Sequence, residues 1–138
     1  MARITVKHRY AQAFDIDIRG MRLLSDEPVV LGGEDEGPTP TELMVAGLAA
    51  CAAEEGLRHL SQMGLPFEPL EIEADFSWDL GSERVAAVQL AVTLPPDLSD
   101  SEVQAVEKAM LACPARKMLT QPPSVDYEFS TRPANTAR

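Results

Sequence analysis

The feature that most constrains this chain is the run from Leu43 to Ala53, Leu-Met-Val-Ala-Gly-Leu-Ala-Ala-Cys-Ala-Ala, in which no side chain carries a charge. It follows Thr39-Pro40-Thr41-Glu42, which reads as a helix start. Thr39 suits the N-cap, Pro40 the first helical position, and Glu42, three residues after Thr39, completes a capping box. The pattern predicts a helix from Thr41 to about Gln62 whose first half, apolar on every face, is buried all round. Ala46, Gly47, Ala49, Ala50 and Ala52 let neighbouring backbones approach closely. A chain of 138 residues and 15.0 kDa has little material with which to enclose such a helix,. A tight homodimer would enclose it more easily.

The same run is well short of the roughly 20 apolar residues a bilayer requires, and the segment from Met1 to His8 has no signal-peptide character,. Twelve Lys plus Arg against 22 Asp plus Glu give a net charge of -10, which repels phosphate backbones and anionic leaflets,. Nucleic acid and membrane are therefore not expected partners, and a cytoplasmic location is expected. A hydrophobic content of 45% at this length fits one domain, residues 1–132, with 133–138 as a frayed C-terminal tail,.

Period-two alternation marks the strands. Ile4 and Val6, then Phe14, Ile16 and Ile18 with Asp15, Asp17 and Arg19 between them, read as half-buried strands, with a hairpin turn at Arg19-Gly20-Met21,. A further short strand is expected at Pro28 to Leu31, before a loop of Gly, Pro and acidic residues. Leu70, Ile72, Ala74, Phe76 and Trp78 form one face of a strand and Val88, Leu90, Val92 and Leu94 one face of the next, with Gly81-Ser82 as the turn. Ser99 or Asp100 caps a second helix carrying Val103, Val106, Met110 and Leu111, which ends at Cys113-Pro114 because a residue before proline avoids the helical region,. A short helix from Ala115 to Leu119 and a final strand from Val125 to Phe129 complete the chain. Strands in antiparallel runs, not alternating singly with helices, define the fold class as α+β. The glycines at 32, 33 and 37 miss the spacings of a phosphate-binding loop,.

Two cysteines and two histidines are too few and too scattered for the paired spacing of a zinc site,. Cys113 precedes Pro114 at a helix start, with Arg116 and Lys117 close by, a setting that favours a thiolate. Cys51 lies about ten residues into its helix and is followed at i+3 and i+4 by Glu54 and Glu55, so an activating cation would have to come from elsewhere in the fold,. The residues alone admit two readings of Cys51, a small core residue or a reactive thiol.

Gly37-Pro38-Thr39-Pro40-Thr41-Glu42-Leu43 with Ala46-Gly47-Leu48-Ala49-Ala50-Cys51, followed by Ala112-Cys113-Pro114, resembles the family of osmotically inducible protein C and organic hydroperoxide resistance protein, OsmC/Ohr. The resemblance covers nearly the whole chain. It implies an OsmC-like α+β fold, with antiparallel strands around a long central helix and an intertwined homodimer with sites at the subunit interface. It also implies a thiol-dependent peroxidase acting on organic, fatty-acid-type hydroperoxides without metal or organic cofactor. Cys51 matches the peroxidatic cysteine and Cys113 the resolving one, which captures the sulfenic acid as a disulfide. A dithiol reductant such as a lipoylated protein would then restore both thiols.

In the family an arginine activates the thiolate and a glutamate orients that arginine. Arg9 is the favoured match, with Arg19 and Arg22 as competitors. The family's glutamate position falls on Thr41, and Glu42 follows one residue later. Nine residues, or about 900°, put Glu42 on the opposite side of an ideal helix from Cys51, whereas Thr41 lies about 80° away. Glu42 is thus either the orienting carboxylate or a helix cap. The Pro-x-Glu-Leu variant resembles a less characterised branch of the family. The alternative function is a non-peroxidase OsmC-like stress-response protein that binds a hydrophobic ligand or senses redox state. Phe67, Phe76 and Trp78 are candidate pocket residues, while His8 and His59 have no assigned role.

Overall fold

The computed structural model describes residues 3–131, so the tail at 133–138 lies outside the described residues. The alternating N-terminal segment forms a meander of β1 (Ile4–Tyr10), β2 (Ala13–Ile18) and β3 (Met21–Ser25). Ile18 pairs directly with Met21, leaving Arg19 and Gly20 as a two-residue turn with φ of 57° and 87°. Two successive positive φ values match the right-handed strand twist, and glycine adopts one of them without steric cost. The Asp17 carboxylate accepts the Gly20 N–H at 3.1 Å and closes the turn.

The segment expected as a strand at Pro28 to Leu31 is instead a single 3-10 turn, Val29–Leu31. The Pro28 carbonyl accepts N–H groups from Leu31 and Gly33, so this backbone bonds to itself and leaves no ladder for a strand. The loop around it is organised by Asp26, which is fully buried. Its carboxylate accepts N–H groups from Glu27 at 2.8 Å, Glu34 at 3.0 Å and Glu36 at 3.2 Å. Burial alone would raise the Asp26 carboxyl, but these three bonds outweigh it and hold the group below the ordinary carboxylate range,. The Asp26 N–H and the Ser25 hydroxyl both donate to the Pro38 carbonyl, which delivers the chain to the helix start at Thr39.

Helix α1 runs from Pro40 to Gln62 with Thr39 as its N-cap. Thr39 Oγ1 accepts the Glu42 N–H at 3.2 Å, and the Glu42 carboxylate accepts the Thr39 N–H at 2.8 Å, so the capping box is complete,. The hairpin β4 (Glu71–Asp79) and β5 (Arg84–Thr93) follows, with a bulge beside Trp78 that accommodates one extra residue of β5,. Helix α2 (Asp100–Leu111) has Ser99 as N-cap and its own capping box with Glu102, and α3 (Pro114–Thr120) begins directly after Cys113.

The core lies where α1 crosses α2 above the β4–β5 hairpin. Ala52 and Leu60 of α1 pack with Val106 and Met110 of α2 and with Cys113, and Leu70, Ile72, Leu90 and Leu94 close the cluster from the hairpin side. Gly56 is buried at the crossing, where an added Cβ would overlap the Met110 side chain, so the absence of a side chain sets the spacing between the helices. Within one chain this packing covers a single side of α1. Val45 and Ala52 are buried, Met44 on the other side is 70% exposed, and Gly47 is also exposed.

The strand expected at Val125 to Phe129 is not formed. These residues make no ladder with either sheet among the described residues, and Val125, Tyr127 and Phe129 are all exposed, the last two rings stacked 6.1 Å apart. The three-stranded and the two-stranded sheet form without them, and among the described residues this segment pairs with neither. Among the described residues no helix is long and apolar enough to cross a membrane.

Candidate active site

Cys51 and Cys113, about 60 residues apart in sequence, line one open cavity of about 1090 Å³. Helix α1 contributes one wall, β5 the second, and the α2–α3 junction the third. Cys51 is half-buried and packs against the core cluster, while Cys113 is 1% exposed and belongs to it. Both are free thiols, near each other but not at bonding distance. The helical spacing of Thr41, Met44, Leu48 and Cys51 makes a stripe along α1 that faces the cavity,. Beyond the two sulfurs, the lining is dominated by Leu, Val, Met and Ala side chains.

Cys113 sits at a position the sequence explains. Proline at 114 ends the preceding helical path and starts the next, which makes Cys113 the N-cap of α3, in extended backbone,. Its Sγ accepts the Arg116 N–H at 3.4 Å, as a capping oxygen would. The Arg116 side chain turns back across the junction and donates to the Leu111 carbonyl at 3.1 Å.

Near Cys51 the two following glutamates share one cation. Arg58 donates to Glu54 at 3.0 Å and to Glu55 at 2.8 Å, so one guanidinium bridges the carboxylates at i+3 and i+4 from the cysteine. Arg9 is elsewhere. It lies on β1, paired with Asp15 at 3.3 Å and 5.7 Å from the centre of the Tyr10 ring, and it is not among the residues that line the cavity. Arg22 and Lys7 of the same sheet face a separate surface depression. Glu42 is occupied by the capping box, while its neighbour Thr41 lines the cavity. Phe67, Phe76 and Trp78 do not line it; Phe76 and Trp78 pack edge to face 6.3 Å apart on β4.

Sequence reasoning thus brought the two thiols to the site and named Thr41 and Arg116 without giving either a place in the cavity. Thr41 was accessible from the 100° helical step relative to Cys51. Arg116 was visible only as a cation near Cys113, because the side-chain direction at a three-residue offset in a seven-residue helix is not set by spacing.

An α+β chain with two thiols on one apolar cavity, one deep in a long helix and one capping a short helix, defines a class of thiol-bearing proteins. Residues 33–128 match the family described as OsmC-like protein, and the chain belongs to that family. Among solved structures, the OsmC-like protein of Mycoplasma pneumoniae aligns with a TM-score of 0.76 at 16% identity, covering 88% of each chain. The organic hydroperoxide resistance protein OhrB of Bacillus subtilis aligns at 0.62 and 21% identity over 88% of this chain and 91% of its own. A Legionella pneumophila protein named as an organic hydroperoxide resistance protein, OsmC, aligns at 0.61 and 22% identity over 87% and 90%. At these identities the likeness establishes the fold. A comparison with curated proteins finds no match.

Proposed function

We propose that the protein is a thiol-dependent peroxidase that reduces organic hydroperoxides. The observation that carries this reading is the presence of both cysteines on the wall of one apolar cavity. The Cys51 thiolate attacks one oxygen of the hydroperoxide: an S–O bond forms, the O–O bond breaks, sulfur is oxidised to a sulfenic acid, and the departing alkoxide takes a proton to leave as the alcohol. The Cys113 thiolate then attacks the sulfenic sulfur, forming a disulfide and releasing hydroxide, which leaves as water once protonated. A small-molecule or protein dithiol, such as a lipoylated protein, exchanges with the disulfide and restores both thiols. In this reading a local change in backbone at the break between α2 and α3, where Cys113 lies, brings the sulfurs together,.

The protein acts as a homodimer in this reading. Support comes from the uncovered side of α1, where Met44 and Gly47 line the open cavity, and from β1, exposed along its whole length. Arg9 supplies the activating cation to Cys51 from the second subunit, and Glu42 acts through the capping box, fixing the first turn of α1 that carries Thr41 to the cavity. A reducing compartment such as the cytoplasm suits two free thiols,.

The test is a free-thiol count and intact mass on reduced protein after one equivalent of cumene hydroperoxide, with hydrogen peroxide in parallel. Loss of both thiols with the mass of two hydrogens, faster with the organic peroxide and abolished by Cys51→Ser, is the expected result. Survival of both thiols overturns it. That outcome favours the second reading, a non-peroxidase OsmC-like protein that binds a hydrophobic ligand, for which the specific observation is a threonine at 41 and a Glu42 already committed to the helix cap.

A further inference from the structure

Three of the chain's six methionines, Met44, Met110 and Met118, line the cavity that holds both thiols. They differ in what surrounds them. Met110 is 8% exposed and packs into the helix crossing at Gly56. Met44 and Met118 are 70% and 59% exposed, so their side chains stand open to whatever enters the cavity. Met44 precedes Cys51 by seven residues, about 700° of helix, which puts the two on the same side of α1 about 10 Å apart along its axis,. Met118 lies on α3, the helix that Cys113 caps. Each thiol therefore has an open thioether on the helix it occupies or caps.

A thiol must lose its proton before it reacts well with a peroxide, whereas a thioether has no proton to lose and needs no activating cation. Met21 and Met63 supply a comparison within the same molecule. They are 52% and 61% exposed and are not among the residues that line the cavity. A reagent that attacks from bulk water meets four thioethers of similar exposure. One that concentrates in the apolar cavity meets only Met44 and Met118.

We propose that Met44 and Met118 form a second oxidation site, modified by apolar organic hydroperoxide held in the cavity. The lone pair of the thioether sulfur attacks the terminal oxygen of the hydroperoxide: an S–O bond forms and the O–O bond breaks. The proton of the terminal oxygen passes to the departing alkoxide, so the sulfur is oxidised to a sulfoxide and the peroxide is reduced to its alcohol. Each sulfoxide places a polar group on a wall that was apolar. The proposal rests on the peroxidase reading only for the entry of organic hydroperoxide into the cavity, not for any reaction of Cys51. It needs the two side chains to face the cavity and not bulk solvent, so a second copy that covers the open side of α1 while admitting substrate leaves it intact.

The experiment treats the wild type and Cys51→Ser with excess cumene hydroperoxide, and in parallel with hydrogen peroxide. Peptide mass spectrometry follows sulfoxide formation at Met21, Met44, Met63 and Met118, and free thiols are counted in the same samples. The rate at Met44 and Met118 relative to that at Met21 and Met63 should be about tenfold higher with cumene hydroperoxide than with hydrogen peroxide, the partition expected when about two methylene-sized groups are buried. The same relative rate with both peroxides overturns the site. Because the ratio is read on the wild type as well, it decides the question even if Cys51→Ser fails to fold. Selective sulfoxide formation with both wild-type thiols intact upholds the site and removes the peroxidase reading, whereas thiol loss without selectivity removes the site alone.

Discussion

The crossing of α1 and α2 at Gly56 sets two known effects against each other. In Gly56→Ala the helix gains about 1 kcal/mol, because glycine is the poorer helix former. Against this, the new Cβ overlaps the terminal methyl of Met110 and comes within 3.3 Å of its Cγ and 3.5 Å of its Sδ. The methyl can swing away cheaply, since methionine has a long flexible side chain. The Cγ cannot follow without a change of rotamer or a wider helix separation, and Met110 is only 8% exposed. Overpacking of this kind costs about 1–3 kcal/mol, so the net expectation is destabilisation by about 1 kcal/mol. Urea unfolding followed by far-UV circular dichroism, at one fixed protein concentration because dissociation of a dimer would enter the midpoint, measures it. Met110→Ala alone should cost about 2–5 kcal/mol, and in the double variant the alanine at 56 should lose its penalty and recover its helix gain. A Gly56→Ala protein at least as stable as the wild type, or strict additivity in the double variant, refutes the claim that Gly56 sets the helix spacing.

Removal of the Thr39 hydroxyl in Thr39→Ala should cost about 1 kcal/mol in the same assay, and Ser99→Ala about the same, since each caps the helix that follows through a complete box,. Asp26→Asn puts an amide N–H against backbone donors that the carboxylate accepts, so the loop from Glu27 to Glu36 should exchange its amide hydrogens faster,. The pH dependence has a fixed sign. The folded Asp26 carboxyl lies below its unfolded value of about 3.9, so its contribution is complete above that value and is lost as the pH falls through the folded one,. Urea midpoints between about pH 5 and pH 2 should therefore fall more steeply in the wild type than in Asp26→Asn. In Cys113→Ser, one equivalent of organic hydroperoxide should leave Cys51 as a sulfenic acid trappable by dimedone; failure to trap it would remove Cys51 from the peroxidatic role.

Where a residue's role was set by local bonding, the sequence was enough to find it. The Thr39-Pro40-Thr41-Glu42 start, the Ser99 cap, the Arg19-Gly20 turn and the β4–β5 hairpin all depend on neighbours within four residues or on alternation, and each stands where its pattern places it. The errors fall where a segment's state depends on a partner. Val29 to Leu31 has strand-forming residues, yet the Pro28 carbonyl offers a closer bond than any strand does. Val125 to Phe129 has the alternation of a strand, yet among the described residues it pairs with neither sheet. The two thiols were legible because each lies in a recognisable local motif. Their common cavity was not, since it depends on how α1 meets the α2–α3 junction, a contact across half the chain.

The same dependence on partners bears on how the site is completed. One chain leaves apolar side chains outside at Ile4 and Val6 on β1, at Met44 on α1, and at Tyr127 and Phe129 in the extended segment. Single exposed apolar residues are ordinary, but these lie on elements that all lack a covering layer, and two of them are strands or strand-like segments with open backbone groups,. Within this chain Arg9 answers Asp15, Arg58 on the helix of Cys51 is shared between two carboxylates, and Arg116, which lines the same cavity, donates to the Leu111 carbonyl. A dimer that covers the open side of α1 would therefore act on stability and chemistry through one set of contacts, burying the helix that carries Cys51 while bringing a second subunit's charges to its thiol. On the proposal that Arg9 of a second subunit supplies the thiolate's counter-charge, dilution into the monomer should abolish peroxide turnover before it unfolds either hairpin, because the hairpins are bonded within one chain,.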